Sequence, residues 1–287
     1  MLLTVDAGNT NVVLGLFEGA GPQARLVADW RVRTDPHTTA DEMALTFRGL
    51  LGPLAAQVSG VSALSTVPAV LGQLRIMMDR YWPSVPQILV EPGVKTGVPL
   101  LVDNPKEVGA DRVVNALAAH TLHPGACIVV DFGTSTSVDV VSPRGEFLGG
   151  AIAPGIDISV DALAQRAAAL RKVEVVRPRS VIGKNTVECL QSGFVFGFAG
   201  QVDGLVRRII RELPEFQESS VAVIATGGLA PLVIDECETI GYHEPDLTVT
   251  GLRLVFERNL SSPRGFRRPA GPANHPRPRL SGSRPAR

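Results

Sequence analysis

The chain has 287 residues, 45% of them hydrophobic and only 5% aromatic, enough for a sizeable core in one large domain or two. Its formal charge of zero conceals a division: residues 260–287 hold seven of the 28 basic residues and no acidic one, so residues 1–259 carry an excess of seven acidic groups. An acidic body offers no general surface for nucleic acid, and no apolar run reaches the roughly 18 residues of a membrane span.

Leu2-Leu3-Thr4-Val5-Asp6 runs into the turn formers Ala7-Gly8-Asn9-Thr10-Asn11, and Val12-Val13-Leu14-Gly15-Leu16-Phe17 resumes the apolar pattern. That is a strand, a tight turn and a second strand. Gly8 has no Cβ, and the backbone N–H groups and short polar side chains of Asn9, Thr10 and Asn11 form a nest suited to phosphate. An ordinary Asn/Gly hairpin turn is the competing reading. Asp6, at the strand end, suits a metal ion or its bound water better than phosphate itself.

A strand over 28–34 follows, then a helix from Thr39 to about Leu51 with Thr39 as N-cap and Asp41 and Glu42 in its first turn. Val58–Ser65 reads as a strand, 69–81 as a helix and Gln87–Val90 as a short strand. Antiparallel and crossover connections together predict an α/β fold. Residues 93–110 are loop-like, and Asp111–His120 forms a helix linking two halves.

Residues 127–141 then repeat the opening: apolar strand, Asp131, any residue, Gly133, the hydroxyl-rich Thr134-Ser135-Thr136, apolar strand. Asp131 and Gly133 each lie 125 positions beyond Asp6 and Gly8. Two such turns, one opening each half, indicate a duplicated domain with a nucleotide between two phosphate-facing hairpins. Gly149–Gly155 reads as a second glycine-rich loop, before a helix over 156–169.

Thr186–Leu213 is a long helix containing Gly193, Gly197, Gly200 and Gly204. Each glycine costs a helix ~1 kcal/mol relative to alanine, so the recurrence points to close helix packing, for example at a subunit interface. Val221–Ala225 is a strand ending in Thr226-Gly227-Gly228, a helix starts near Leu229, and Leu247–Asn259 closes the domain. From Leu260 the Pro, Arg, Gly and Ser composition reads as a disordered tail outside the chemistry. Cys127, Cys189 and Cys237 are far apart and read as buried structural thiols, with neither a disulfide framework nor a zinc site. His120 and His123 lack a third ligand. Met1 leads directly into a strand without a basic region or cleavage site, so a cytoplasmic protein is expected.

The set Asp6-Ala7-Gly8-Asn9-Thr10, Gly109-Ala110-Asp111-Arg112, Asp131-Phe132-Gly133-Thr134-Ser135-Thr136, Gly183-Lys184-Asn185-Thr186 and Ala225-Thr226-Gly227-Gly228 resembles type III pantothenate kinases of the acetate and sugar kinase/Hsp70/actin superfamily. The resemblance covers residues 1–259. It implies a duplicated ribonuclease H-like (actin-like ATPase) fold of two lobes, each opening with a β-hairpin phosphate loop. The lobes are expected over 1–114 and 115–259, the second carrying the dimerisation surface, with 260–287 as the tail. It further implies ATP-dependent phosphorylation of pantothenate to 4′-phosphopantothenate in coenzyme A synthesis, Mg²⁺, a monovalent cation (K⁺ or NH₄⁺) and a homodimer, with no nucleic acid or membrane partner.

Residue by residue, Asp6, Ala7, Gly8, Asn9, Thr10, Asn11, Val12 and Val13 resemble the first ATP phosphate loop. Thr134 resembles a second ATP contact, and Gly227 and Gly228 resemble the nucleoside-side turn. Asp131 resembles the K⁺ ligand. Asp111 resembles the general base, the alternative being a helix N-cap. Gly109, Ala110, Asp111, Arg112 and Thr186 resemble the pantothenate-binding set, with Thr186 supplied across the dimer or, alternatively, capping a helix. Val102 stands where the family often has tyrosine. Competing readings are a kinase for another hydroxyl substrate and a non-catalytic binding protein on the same fold.

Overall fold

Side-chain alternation along the first strand of each half decides the architecture. Leu3, Val5 and Ala7 point one way, and Leu2 and Asp6 point the other; Ile128, Val130 and Phe132 are likewise opposed to Cys127, Val129 and Asp131. Each sheet therefore needs an apolar layer on both faces. The computed structural model, which describes residues 1–166, 173–213, 216 and 220–260, supplies them.

The first half contains β1 (Leu2–Ala7), β2 (Asn11–Glu18), β3 (Arg25–Arg33), α1 (Ala40–Leu51), β4 (Gly60–Ser65), α2 (Pro68–Tyr81), β5 (Gln87–Leu89) and α3 (Ala110–Leu122). The second contains β6 (Ala126–Phe132), β7 (Ser135–Val141), β8 (Phe147–Pro154), α4 (Ile156–Arg166), α5 (Thr186–Glu212), β9 (Val221–Thr226), β10 (Tyr242–His243) and α6 (Leu247–Leu260). The two five-stranded sheets run β3-β2-β1-β4-β5 and, read in the same sense, β8-β7-β6-β9-β10. In each, the hairpin pairs are antiparallel and the last pairs parallel. This is the expected duplicated ribonuclease H-like fold.

The outer face of the first sheet packs on α1 and α2 through residues such as Leu14, Phe47, Leu74 and Met77, and that of the second on α4 and α5 through Ile128, Ile156, Phe198 and Val202. Between the sheets lies a central layer of α3 and α6, where Val114, Leu117, Leu252 and Val255 meet Leu64, Val129 and Ile224. The helices are exchanged. α3, from the first half, packs mainly on β6 and β7, while α6, the last element described, packs on β1, β2 and β4 of the first sheet. Ser62 Oγ on β4 donates to the Leu252 carbonyl of α6 at 2.8 Å, a buried bond across 190 residues of sequence.

Local signals set several boundaries. Thr39 closes a capping box on α1: its hydroxyl accepts from the Glu42 N–H at 3.3 Å and its own N–H donates to the Glu42 carboxylate at 2.9 Å. Other expectations fail for identifiable reasons. The segment 149–155 is mostly strand, not loop: β8 bulges at Val140/Val141, Gly149 takes φ +108° there, and Gly150 lies so close to Val138 that a side chain would strike its carbonyl. No α-helix begins at Leu229; Pro231 breaks the segment into the short 3-10 turns Ala230–Leu232 and Ile234–Glu236. Cys189 is exposed on α5, although Cys127 is buried and Cys237 half-buried as free thiols.

The α5 glycines do not pack closely within the chain, since Gly193, Gly197 and Gly200 face open space. The helix over 156–169 is described only to Arg166, and the arginine-rich tail from 261 lies outside the described residues. Among the described residues no helix is long and apolar enough to cross a membrane.

Candidate active site

The alternation that sends Leu3 and Val5 outward leaves Asp6 on the inner face at the end of β1, and the same logic places Asp131 at the end of β6. Asp6 lies opposite Val13 and Leu64; Asp131 lies opposite Ser137 and Thr226. Both first strands stop one residue later, and their turns face each other across the cleft. Thr10 Oγ1 and Thr134 Oγ1 are 3.0 Å apart, so the tips of the two hairpins touch.

The first turn is fixed from several sides. Gly8 N–H donates to the Asn11 carbonyl at 3.0 Å, Thr34 Oγ1 to the Gly8 carbonyl at 2.7 Å, Thr34 N–H to the Thr10 carbonyl at 3.0 Å and Ser65 Oγ to the Ala7 carbonyl at 2.9 Å. These bonds consume carbonyls, and Asn9 and Thr10 at the tip remain exposed. Val12 is buried and Val13 half-buried in the core behind the turn.

The second turn is shorter, with Gly133 N–H donating to the Ser135 carbonyl at 3.0 Å. Beside it stands the turn after β9. Gly227 takes φ +90°, and a side chain there would meet the Asp131 carboxylate and come within 2.6 Å of the Phe132 carbonyl. Leu229 N–H donates to that carbonyl at 3.1 Å.

α3 enters the cleft with Gly109 as its N-cap, so the capping alternative for Asp111 does not hold. Asp111 sits in the first turn, and its carboxylate accepts from the Arg112 N–H at 2.9 Å. Arg112 is anchored: its Nε donates to Asp139 at 2.9 Å, its Nη2 also binds Asp139, and the guanidinium lies 5.3 Å from the centre of the Phe147 ring. Asp139 is 1% exposed, and Ser137 Oγ donates to its other oxygen at 3.2 Å. Asn115, one turn beyond Asp111, is also buried; Thr248 Oγ1 donates to its carbonyl at 2.8 Å, which turns its amide toward Asp131 Oδ2 at 3.4 Å.

Three carboxylates thus converge. Burial, then the charges of Asp111 and Asp131, push the Asp6 carboxyl up to about 7, with Arg31 opposing. Burial, then Asp111 and Asp139, push Asp131 up to about 7, with the Asn115 amide opposing. Burial raises Asp111 as well, against the Arg112 N–H and guanidinium. A cleft of like charge with hard oxygen donors and glycine-lined turns fits a magnesium nucleotide and a monovalent cation. Among the described residues no three acidic, histidine or cysteine side chains are close enough to hold a metal by themselves.

Two predicted positions stand apart from this cluster. Val102 packs against the central layer beside β8. Thr186 is the exposed first residue of α5; Asn185, not Thr186, is the N-cap, its side-chain Oδ1 accepting from Glu188 N–H at 3.0 Å. The hydrogen bonds there stay local: Arg179 and the Lys184 N–H both bind Glu188. His120 binds the Gly125 carbonyl and His123 binds Glu244, so the two histidines do not converge. Asp139, Asn115, Thr248 and Thr34 were missed by the motif reading. A polar residue inside the apolar run Val138-Asp139-Val140-Val141 was the one available signal.

A family model for type III pantothenate kinases matches residues 2–208. The type III pantothenate kinase of Rhodococcus opacus is 70% identical over 268 residues, covering 93% of this chain and 98% of the relative. That of Mycolicibacterium smegmatis is 60% identical over 270 residues, covering 94% and 100%. Among solved structures, the activator of 2-hydroxyisocaproyl-CoA dehydratase from Clostridium difficile aligns with a TM-score of 0.52 at 13% identity, covering 91% of this chain and 96% of that one, a likeness of fold. The chain belongs to the type III pantothenate kinase family.

Proposed function

We propose that the protein transfers the γ-phosphoryl group of ATP to the hydroxyl of pantothenate, giving 4′-phosphopantothenate and ADP, the first step of coenzyme A biosynthesis. The observation that carries the site is the contact of the two hairpin tips at Thr10 and Thr134 beside Asp6, Asp111 and Asp131. Phosphoryl transfer needs positioning and charge neutralisation more than covalent help, and this cleft offers both. Asp6 would hold a magnesium ion on its side of the cleft, and that ion would supply charge neutralisation on the phosphates.

The chain's own residues do the rest. The turn Asp6–Val13 and Thr134 orient the phosphates, and the Gly227–Gly228 turn admits the nucleoside. Asp131, steadied by Asn115, holds the monovalent cation. Asp111 accepts the proton of the pantothenate hydroxyl as its oxygen bonds to phosphorus and the bond to the ADP oxygen breaks. Burial raises its basicity, which suits that task. Arg112, locked by Asp139, presents a fixed positive edge to the anionic substrate beside Gly109, Ala110 and Val102.

The lobes divide near 114/115, with α3 and α6 exchanged between them. The open glycine face of α5 is the dimer surface, and it brings the exposed Thr186 to the partner's pantothenate site. A cytoplasmic location is part of this reading. Purified protein with Mg²⁺-ATP and pantothenate is expected to release ADP and phosphopantothenate only when K⁺ or NH₄⁺ is present. ADP release with a sugar and none with pantothenate overturns the assignment.

A further inference from the structure

Arg31 occupies a specific position on the inner side of the first sheet. On β3 it lies opposite Val13, which itself lies opposite Asp6, so Asp6, Val13 and Arg31 form one row across three strands. Directly opposed residues share a face of a sheet. The neighbours Trp30 and Val32 pack on the outer helical layer, which sends Arg31 to the inner, cleft side with Asp6. From there the side chain crosses to the other lobe: a Cβ built on Gly228 would strike its Nη1. The guanidinium therefore stands between the Asp6 row of the first sheet and the Gly227–Gly228 turn of the second.

Among the described residues nothing consumes it. Arg31 is exposed, and among the described residues it has no hydrogen-bond or ion-pair partner. The acidic groups facing it are Asp6 and Asp246, both of which feel its field. Arg112, on α3, is held by Asp139. An uncommitted guanidinium between the Asp6 row and the glycine turn of the other lobe matches the planar, bidentate recognition of phosphate oxygens.

We propose that Arg31 binds the polyphosphate of the nucleotide, on the ADP side of the transferred group, and clamps it between the two lobes. This rests on the nucleotide occupying the cleft as proposed above. The experiment compares the wild-type chain with Arg31→Gln, Arg31→Lys and the control Arg25→Gln, which removes an exposed arginine at the far end of the same strand. Titration calorimetry with Mg²⁺-ADP and with adenosine is read beside steady-state kinetics and melting temperature.

Arg31→Gln is expected to weaken Mg²⁺-ADP binding about 10- to 100-fold. Adenosine affinity, pantothenate KM and melting temperature should remain as in the wild type. Arg31→Lys should fall between, because it keeps the charge and loses the fork, and Arg25→Gln should be unchanged. ADP affinity in Arg31→Gln equal to wild type overturns the assignment while leaving the kinase reading intact, as does a rise confined to pantothenate KM, which would mark Arg31 as a substrate contact. A wild-type chain that binds no ADP removes both.

Discussion

The two halves use the same frame and fill it differently. In the first sheet the row through the cleft carboxylate reads Leu64, Asp6, Val13, Arg31; in the second it reads Thr226, Asp131, Ser137, Ile152. One row ends in a guanidinium and the other in an isoleucine that is 63% exposed. The hairpin turns differ too, three residues between β1 and β2 against two between β6 and β7. Duplication thus fixed where a carboxylate and a glycine stand, and the positions around them were free to become an anion-facing side and a side lined by hydroxyls and an apolar group. The proposed base belongs to neither hairpin: Asp111 arrives on the helix that crosses from one half to the other.

That division can be broken in order of severity. Asp111→Asn should lower kcat about 10²- to 10⁴-fold with the melting temperature unchanged, read by coupled ADP release. Retained turnover would move the proton acceptor elsewhere. Gly227→Ala should destabilise by about 2 kcal/mol in chemical denaturation, since alanine at φ +90° is strained and its methyl meets the Asp131 carboxylate. The matching change in the first half, Gly8→Ala, should cost well under that, because Gly8 lies outside the positive-φ region and its Cβ would sit 3.3 Å from the Asn11 carbonyl.

The two carboxyls allow a sharper comparison. Folding raises Asp6 and Asp131 from 3.8 to about 7, so between those values the folded chain holds protons that the unfolded chain has lost. Their contribution is fully present below about pH 4 and lost as the pH rises through 7. In metal-free buffer, Asp6→Asn or Asp131→Asn should therefore raise the melting temperature at pH 8 by about 5 °C and flatten its fall between pH 4 and 7. An unchanged profile would mean that the cluster is already neutralised in the free protein. The smallest expected effect is at the caps. Thr39→Ala, which removes the two hydroxyl bonds of the capping box and keeps its backbone N–H bond, should cost about 1 kcal/mol, and Asn185→Ala on α5, with one bond to lose, somewhat less.

The hairpins were legible because they obey two local rules at once, alternation and turn chemistry, and the 125-residue repeat doubled the signal. The α1 cap was legible for the same reason. Where glycine answers to a distant backbone, local reading failed: Gly149 and Gly150 look like a loop until β7 is placed beside them. Asn115 and Arg31 escaped notice because their partners, Thr248 and Gly228, lie 133 and 197 positions away. Motif resemblance picked out the residues of the two hairpin turns and the first turn of α3. It was silent on those that hold them, since a polar side chain inside a helix or strand carries no mark of what it touches.

The exchange of α3 and α6 has a consequence for how the protein is made. The first sheet leaves the ribosome early, but the helix that covers its inner face is Leu247–Leu260. Until those residues emerge, Leu2 and Phe17 lack the helix that covers them on that side, and only α3 can partly cover Leu64. The nascent chain therefore carries a sticky, unfinished lobe through most of its synthesis, and a ribosome that stalls anywhere before α6 releases a product for chaperones and proteases instead of half an enzyme.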